Sequence, residues 1–198
     1  IPNGVNKPII REPNIIKQKY GLEKDSYILF LARIVPEKGL HYLIDAYKQI
    51  DTDKKLVIAG GASHTNEYLE KIKEMIKEDE RIIMTGFVQG NQLEELYSNC
   101  YLYCLPSDVE GMPLSLLEAM SYGCNCLVSD IEENKTVIRK NGYTFEHGSV
   151  KDLKEKLEKI LNNSIYIDKK MVEENVLKKY NWKKATEETL NIYKDIQT

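Results

Sequence analysis

Short apolar runs rich in Ile, Leu, Val and Tyr recur along this chain, separated by longer stretches of helical period. YILFLAR (27–33), KLVIAGG (55–61), RIIMTGF (81–87), YLYCLP (101–106) and CLVSD (126–130) read as buried strands. Between them, 39–50 carries apolar Leu40, Leu43, Ile44 and Tyr47, 67–77 carries Leu69, Ile72 and Ile76, and 92–98 carries Leu93, Leu96 and Tyr97. Those spacings put each set on one helix face. A chain that alternates strand and helix in this way is constrained to the α/β class: a doubly wound parallel sheet, joined by right-handed crossovers, with helices on both faces. Ligands of such sheets bind beyond the carboxyl ends of the strands, so function is expected in the loops that follow them.

Downstream, 142–145 predicts an edge strand, and 150–161 an amphipathic helix with Leu153, Leu157, Ile160 and Leu161 on one side. The charge-rich stretches 169–179 and 182–196 are further helix candidates, with Val172, Val176, Trp182, Leu190 and Tyr193 as the expected packing residues. The extended, Pro- and Asn-rich segment 1–12 reads as the remnant of an interdomain connection. Residues 13–198 then form a single domain, with 168–198 as a C-terminal helical tail. A chain of 198 residues without repeats or a long linker suits one substantial core.

Charge narrows the partners. Lys and Arg number 28 against 31 Asp and Glu, a net charge of −3, so the basic excess of a nucleic-acid or anionic-membrane binder is lacking. No apolar run approaches the roughly 18 residues of a membrane span, and the opening IPNGVNKPII lacks the pattern of a signal peptide. Cys100, Cys104, Cys124 and Cys126 sit in apolar stretches, which suits reduced, buried thiols of a cytosolic protein better than disulfides or a zinc site.

The segment after the fourth strand, PSDVEGMPLSLLEAM (106–120), concentrates the chemistry. Pro113 suits the first turn of a helix, because its fixed φ is helical and its missing N–H would be unpaired there. Gly111 lets backbone approach a ligand, and the unpaired amides of Leu114 and Ser115, at the positive end of the helix dipole, suit a phosphate. Glu110 precedes the helix, and Glu118 lies about 7 to 8 Å along its axis from Pro113, within reach of a ligand anchored at the helix start. In the loop after the first strand, Arg33 and Lys38 supply counter-charge, able to stabilise a departing diphosphate without a metal.

These motifs, taken in order, resemble a known family. IPNGV, the Arg-x4-Lys of ARIVPEKG, VIAGG, MTGF, the Glu-x7-Glu block LPSDVEGMPLSLLEAMSYG and a Tyr-Asn-Trp opening to the last helix are similar to the C-terminal half of retaining GT-B glycosyltransferases of family 4. The resemblance implies a Rossmann-like domain that binds a sugar nucleotide, while a separate N-terminal domain binds most of the acceptor. By position, Arg33 and Lys38 would bind the diphosphate and assist its departure, and Glu110 would hold the donor sugar's hydroxyls. Backbone groups of Gly111, Met112, Pro113 and Leu114 would contact sugar or phosphates, Glu118 the ribose, and the base would lie near Val88. Two features depart from the family's common pattern: Gly60-Gly61-Ala62-Ser63-His64 in place of a Gly-Asp/Glu-Gly turn, and Met112 where an aromatic is frequent.

The resulting expectation is the donor-binding domain of a retaining hexosyltransferase that moves sugar from a UDP-, GDP- or ADP-sugar to a glycan or lipid-linked acceptor, in cell-surface polysaccharide or glycoconjugate synthesis. It would need no cofactor and no metal, and would be inactive without its N-terminal domain. The location expected is cytoplasmic, with peripheral contact at the inner membrane face left open. The alternative is a non-catalytic glycosyltransferase-like partner subunit. A nicotinamide-dependent dehydrogenase is disfavoured because no strand is followed by Gly-x-Gly-x-x-Gly. More ordinary readings stand beside these: Arg33 and Lys38 as a solvated pair near Glu37, Glu110 as an ordinary loop carboxylate, Glu118 as an exposed one, and His41, His147 and His64 as structural or solvated, although the loop of His64 follows a strand toward the ligand edge. The excess of Tyr (13) over Phe (3) fits packing with hydrogen-bonded rims.

Overall fold

The structure is a computed structural model describing residues 1–61, 66–162 and 168–196. Six parallel strands form one sheet: β1 (Tyr27–Leu31), β2 (Lys55–Ala59), β3 (Ile82–Gly86), β4 (Leu102–Leu105), β5 (Cys126–Ser129) and β6 (Tyr143–Phe145). They lie in the order β3-β2-β1-β4-β5-β6. The winding direction reverses between β1 and β4, which pair in register at Ile28↔Leu102 and Leu29↔Tyr103.

Strand periodicity divides the core. Ile28, Phe30, Leu56, Ile58, Leu102, Cys104 and Leu127 face one apolar cluster, whereas Tyr27, Leu29, Val57, Ala59, Tyr103, Leu105, Cys126 and Val128 face the other. The first cluster is covered by α2 (Leu40–Tyr47), α3 (Asn66–Ile76) and α7 (Val150–Leu161). The second is covered by α1 (Ile15–Tyr20), α4 (Gly90–Asn99), α5 (Leu114–Ser121), α6 (Glu132–Ile138) and α8 (Lys169–Lys179). The doubly wound α/β class is therefore the observed one. All four cysteines are buried and free.

Helices α1 and α6 are additions to the sequence reading. The start of α1 is capped from a distance: Glu95 Oε2, on α4, accepts from the amides of Asn14 and Ile16 at 3.1 and 3.0 Å. By contrast, α7 and α8 carry their own N-caps, Ser149 and Asp168, beside the elements they start.

One packing expectation needs correction. Val172 and Val176 are buried, but in α9 (Trp182–Ile196) Trp182, Leu190 and Tyr193 are 49%, 51% and 64% exposed. Helix α8 packs against α5, and α9 lies outside that layer, with the backbone of Trp182 against Gly4. The extended N-terminal segment runs past the same end of the molecule, where the Val5 amide donates to the Tyr180 carbonyl at 2.8 Å. Among the described residues, no helix is long and apolar enough to cross a membrane.

Candidate functional site

The loops that leave β1 and β4 flank the point where the sheet reverses, and they are fastened together. After β1 the chain forms a single 3-10 turn, Pro36–Lys38, ended by Gly39 at φ +64°. A Cβ on Gly39 would lie 1.9 Å from the carbonyl oxygen of Pro106, so only glycine permits both the left-handed turn and the close approach. Beside it, the Asp108 amide donates to the Glu37 carbonyl at 2.9 Å. This apposition sets Lys38 Nζ 2.7 Å from Glu110 Oε1, with the two side chains 15% and 6% exposed. The hydroxyl of Ser107, wholly buried, donates to the same carboxylate oxygen at 2.7 Å.

Helix α5 begins one residue later than the sequence suggests. Pro113 has ψ +87°, outside the helical range, and caps the helix rather than occupying its first turn. Its carbonyl accepts from the amides of Leu116 and Leu117, both at 3.1 Å. The amides of Leu114 and Ser115 come too early in the helix to have intrahelical acceptors. Both residues line an open cleft of about 640 Å³, together with Arg33, Lys38, Glu110, Gly111, Met112 and Pro113. Arg33 is exposed and makes no ion pair among the described residues, in contrast to Lys38. An exposed guanidinium and uncapped helix amides on residues that line one cleft suit an anion, and the volume is that of a small-molecule pocket.

Two residues named from the sequence lie elsewhere. Glu118 does not line this cleft. Its carboxylate faces a neighbouring cavity of about 330 Å³, shared with Tyr97, Tyr122, Trp182 and residues 4–9, and Leu114 stands at the boundary between the two spaces. Burial raises the Glu118 carboxyl above its usual range, although Tyr97, whose phenol donates to Oε2 at 3.0 Å, works in the opposite direction. Val88 lines neither space. It is 8% exposed and packs in the core with Leu96, while the adjacent Phe87 ring points outward, 75% exposed. The reason is local: Val88 precedes the Gln89 N-cap of α4, and it joins Leu93, four residues into the helix, in one apolar cluster.

Ser107, Tyr97 and Tyr103 are absent from the sequence reading of the site, because the destination of a buried hydroxyl is a tertiary fact. A tyrosine-rich composition was the only signal, and it named no position. His147 is paired, its Nε2 2.7 Å from Asp108 Oδ1, and His41 Nδ1 lies 2.9 Å from the Tyr68 hydroxyl. His64 falls outside the described residues, as do Ala62 and Ser63. Among the described residues, no group of three or more His, Cys, Asp or Glu is placed to hold a metal ion.

The cleft thus lies at the switch point of a doubly wound sheet, where the ligands of such sheets bind. The sequence profile of the family Glycosyl transferases group 1 matches residues 13–179, and the chain belongs to that family. It is 30% identical to an uncharacterized glycosyltransferase of Methanocaldococcus jannaschii, over 90% of this chain and 47% of that protein. It is 25% identical to the UDP-Gal:alpha-D-GlcNAc-diphosphoundecaprenol alpha-1,3-galactosyltransferase of Escherichia coli, over 99% of this chain and 54% of that one. The chain thus spans about half the length of these curated relatives. Among solved structures, Anabaena HepE in complex with UDP and glucose superposes with a TM-score of 0.82 at 17% identity, covering 91% of this chain and 51% of that one. The sucrose-phosphate synthase of Thermosynechococcus elongatus superposes with a TM-score of 0.84 at 21% identity, covering 99% and 52%. At those identities the likeness concerns the fold, which is that of GT-B proteins.

Proposed function

We propose that this domain binds the nucleoside diphosphate sugar of a retaining glycosyltransferase, which transfers a hexose-type residue to a glycan or lipid-linked acceptor. One observation carries the reading: Arg33 and Lys38, from the β1 loop, share a single cleft with Glu110 and the uncapped start of α5. Arg33 and the amides of Leu114 and Ser115 would hold the diphosphate. Lys38, with one donor engaged by Glu110, keeps two others for the leaving group. Glu110, fixed by Ser107 and Lys38, would present its remaining lone pairs to sugar hydroxyls. With cations and helix amides neutralising the departing charge, the reaction needs no metal ion. Glu118 would take the ribose diol where the cleft meets its own cavity, at Leu114.

Retention, an acceptor-binding N-terminal domain and a role in surface polysaccharide synthesis follow from the family resemblance. The names of the relatives agree with that setting, among them the serotype-specific mannosyltransferase WbdA and the O-antigen chain mannosyltransferase B, both of Escherichia coli. Cytoplasmic residence, with peripheral contact at the inner membrane face, fits an enzyme drawing on a nucleotide-sugar pool. Calorimetric titration with UDP-, GDP- and ADP-sugars in the presence of EDTA tests the reading. One of the three is expected to bind, and Arg33→Ala combined with Lys38→Ala to abolish that binding. Absence of binding by all three, or unchanged affinity in the double variant, would refute it.

A further inference from the structure

Below the cleft, two buried tyrosines converge on one residue. Tyr103, on β4, is wholly buried, and its phenol donates to Ser115 Oγ at 2.8 Å. The phenol's one proton has a second, more distant acceptor in the carbonyl of Leu31, the last residue of β1, at 3.3 Å. Tyr97, on α4, reaches the Ser115 carbonyl at 3.2 Å as well as the Glu118 carboxylate. Ser115 itself lines the cleft beside the uncapped helix start.

A serine hydroxyl carries one proton and two lone pairs. Where the Tyr103 phenol gives its one proton to Ser115 Oγ, the nearer of its two acceptors, it fills one lone pair there and the serine proton is available to an acceptor in the cleft. We propose that Tyr103 is a positioning residue of the donor site: it turns the Ser115 hydroxyl outward, so that Ser115 Oγ–H donates to a diphosphate oxygen held at the α5 N-terminus. The proposal rests on the donor-site reading above and adds to it a side-chain donor beyond the backbone amides. Burial holds the Tyr103 phenol protonated, its titration pushed far above the usual range, so the donor persists at any working pH. Hydroxyl chains of this kind polarise one another, and a donor to a charged phosphate is stronger than one to a neutral acceptor.

The test is calorimetry with UDP, GDP and ADP, each set against its parent nucleoside, on the wild type, Tyr103→Phe, Ser115→Ala and the double variant. The full-length protein carrying this chain is used. In the wild type at least one nucleoside diphosphate should bind more tightly than its nucleoside. If none binds, the donor-site reading and this proposal fall together. Given binding, Ser115→Ala should weaken the diphosphate by about tenfold and leave the nucleoside unchanged, the loss expected for one charge-assisted hydrogen bond. Tyr103→Phe should weaken the diphosphate by about threefold to tenfold, and the double variant no more than Ser115→Ala alone. Tyr47→Phe removes a phenol that bonds the Lys54 carbonyl on the other face of the sheet, and should lower stability without touching the ratio. A diphosphate-to-nucleoside ratio that stays at the wild-type value in Ser115→Ala overturns the proposal and leaves the donor site standing. So do effects of the two substitutions that multiply in the double variant. Should Tyr103→Phe fail to fold, Ser115→Ala and its rescue by Ser115→Thr decide alone: loss without rescue also overturns it.

Discussion

Replacing Lys38 by Met is the sharpest probe of how the two loops are joined. The Lys38 ammonium and the Glu110 carboxylate meet at 2.7 Å with 15% and 6% of their side chains exposed. Removing the cation strands a carboxylate whose remaining side-chain partner is the Ser107 hydroxyl. Breaking a buried pair from one side costs about 3 to 5 kcal/mol. The Ser107 bond and the opening of the cleft to water reduce this to about 3 kcal/mol for Lys38→Met. In a protein of this length each kcal/mol moves the melting temperature by about 2 to 4 °C, giving a fall of about 6 to 12 °C. Removing both charges, Lys38→Met with Glu110→Gln, leaves no uncompensated ion and keeps a partner for Ser107, so more than half of the loss should return. Thermal melts at fixed pH and salt, with urea titrations to confirm an unchanged m-value, measure all three variants. A single-variant loss below about 1 kcal/mol, the range of exposed ion pairs, would refute the reasoning, as would a double variant no more stable than Lys38→Met.

Three further outcomes follow. Gly39→Ala places a Cβ 1.9 Å from the Pro106 carbonyl in a left-handed conformation that alone costs about 1 to 2 kcal/mol, so melting temperature and nucleotide affinity should both drop. Loss of stability with full affinity would show that the loops bind independently. Glu118 is raised by burial above its ordinary value of 4.5. Its contribution to stability is therefore complete below that value and is lost as pH climbs through the raised one. Melts of Glu118→Gln should gain on the wild type as pH increases from about 4.5, and under the proposal that the ionised carboxylate takes the ribose diol, nucleotide affinity should rise with pH in the wild type alone. Glu95→Ala removes the acceptor of the Asn14 and Ile16 amides and should cost about 2 to 3 kcal/mol in urea unfolding, with nucleotide affinity unchanged.

What could be read from the sequence was whatever local pattern determines. Parallel strands buried on both faces announce themselves as unbroken apolar runs, and the amphipathic helices between them as threes and fours. The elements that escaped are those whose support comes from far along the chain: α1 is six residues long, too short to show a helical period in Ile15, Ile16 and Tyr20, and is capped by a glutamate about eighty residues away. In α6, Asn134 lies buried among the helix's polar residues because its amide reaches Ser129, a contact that periodicity cannot show. The apolar stripe of α9 was legible, but its exposure was not, since amphipathicity says that a face exists and nothing about what covers it.

The same division runs through the site. Arg33, Lys38 and the 110–115 segment share a cleft because topology demands it: β1 and β4 are neighbours at the reversal of the sheet, so the loops after them face each other whatever their sequence. Glu118 was reasoned along a helix axis, which fixes distance but not azimuth. Pro113 at ψ +87° starts α5 one residue later than a first-turn proline would, and Tyr97 then draws the Glu118 carboxylate toward α4, away from the cations. The separation has a consequence for chemistry. Leu114 lines both spaces, so on the proposed reading a ligand reaching both Glu110 and Glu118 would have to pass that side chain, with the diphosphate between sugar and ribose as the segment that turns there.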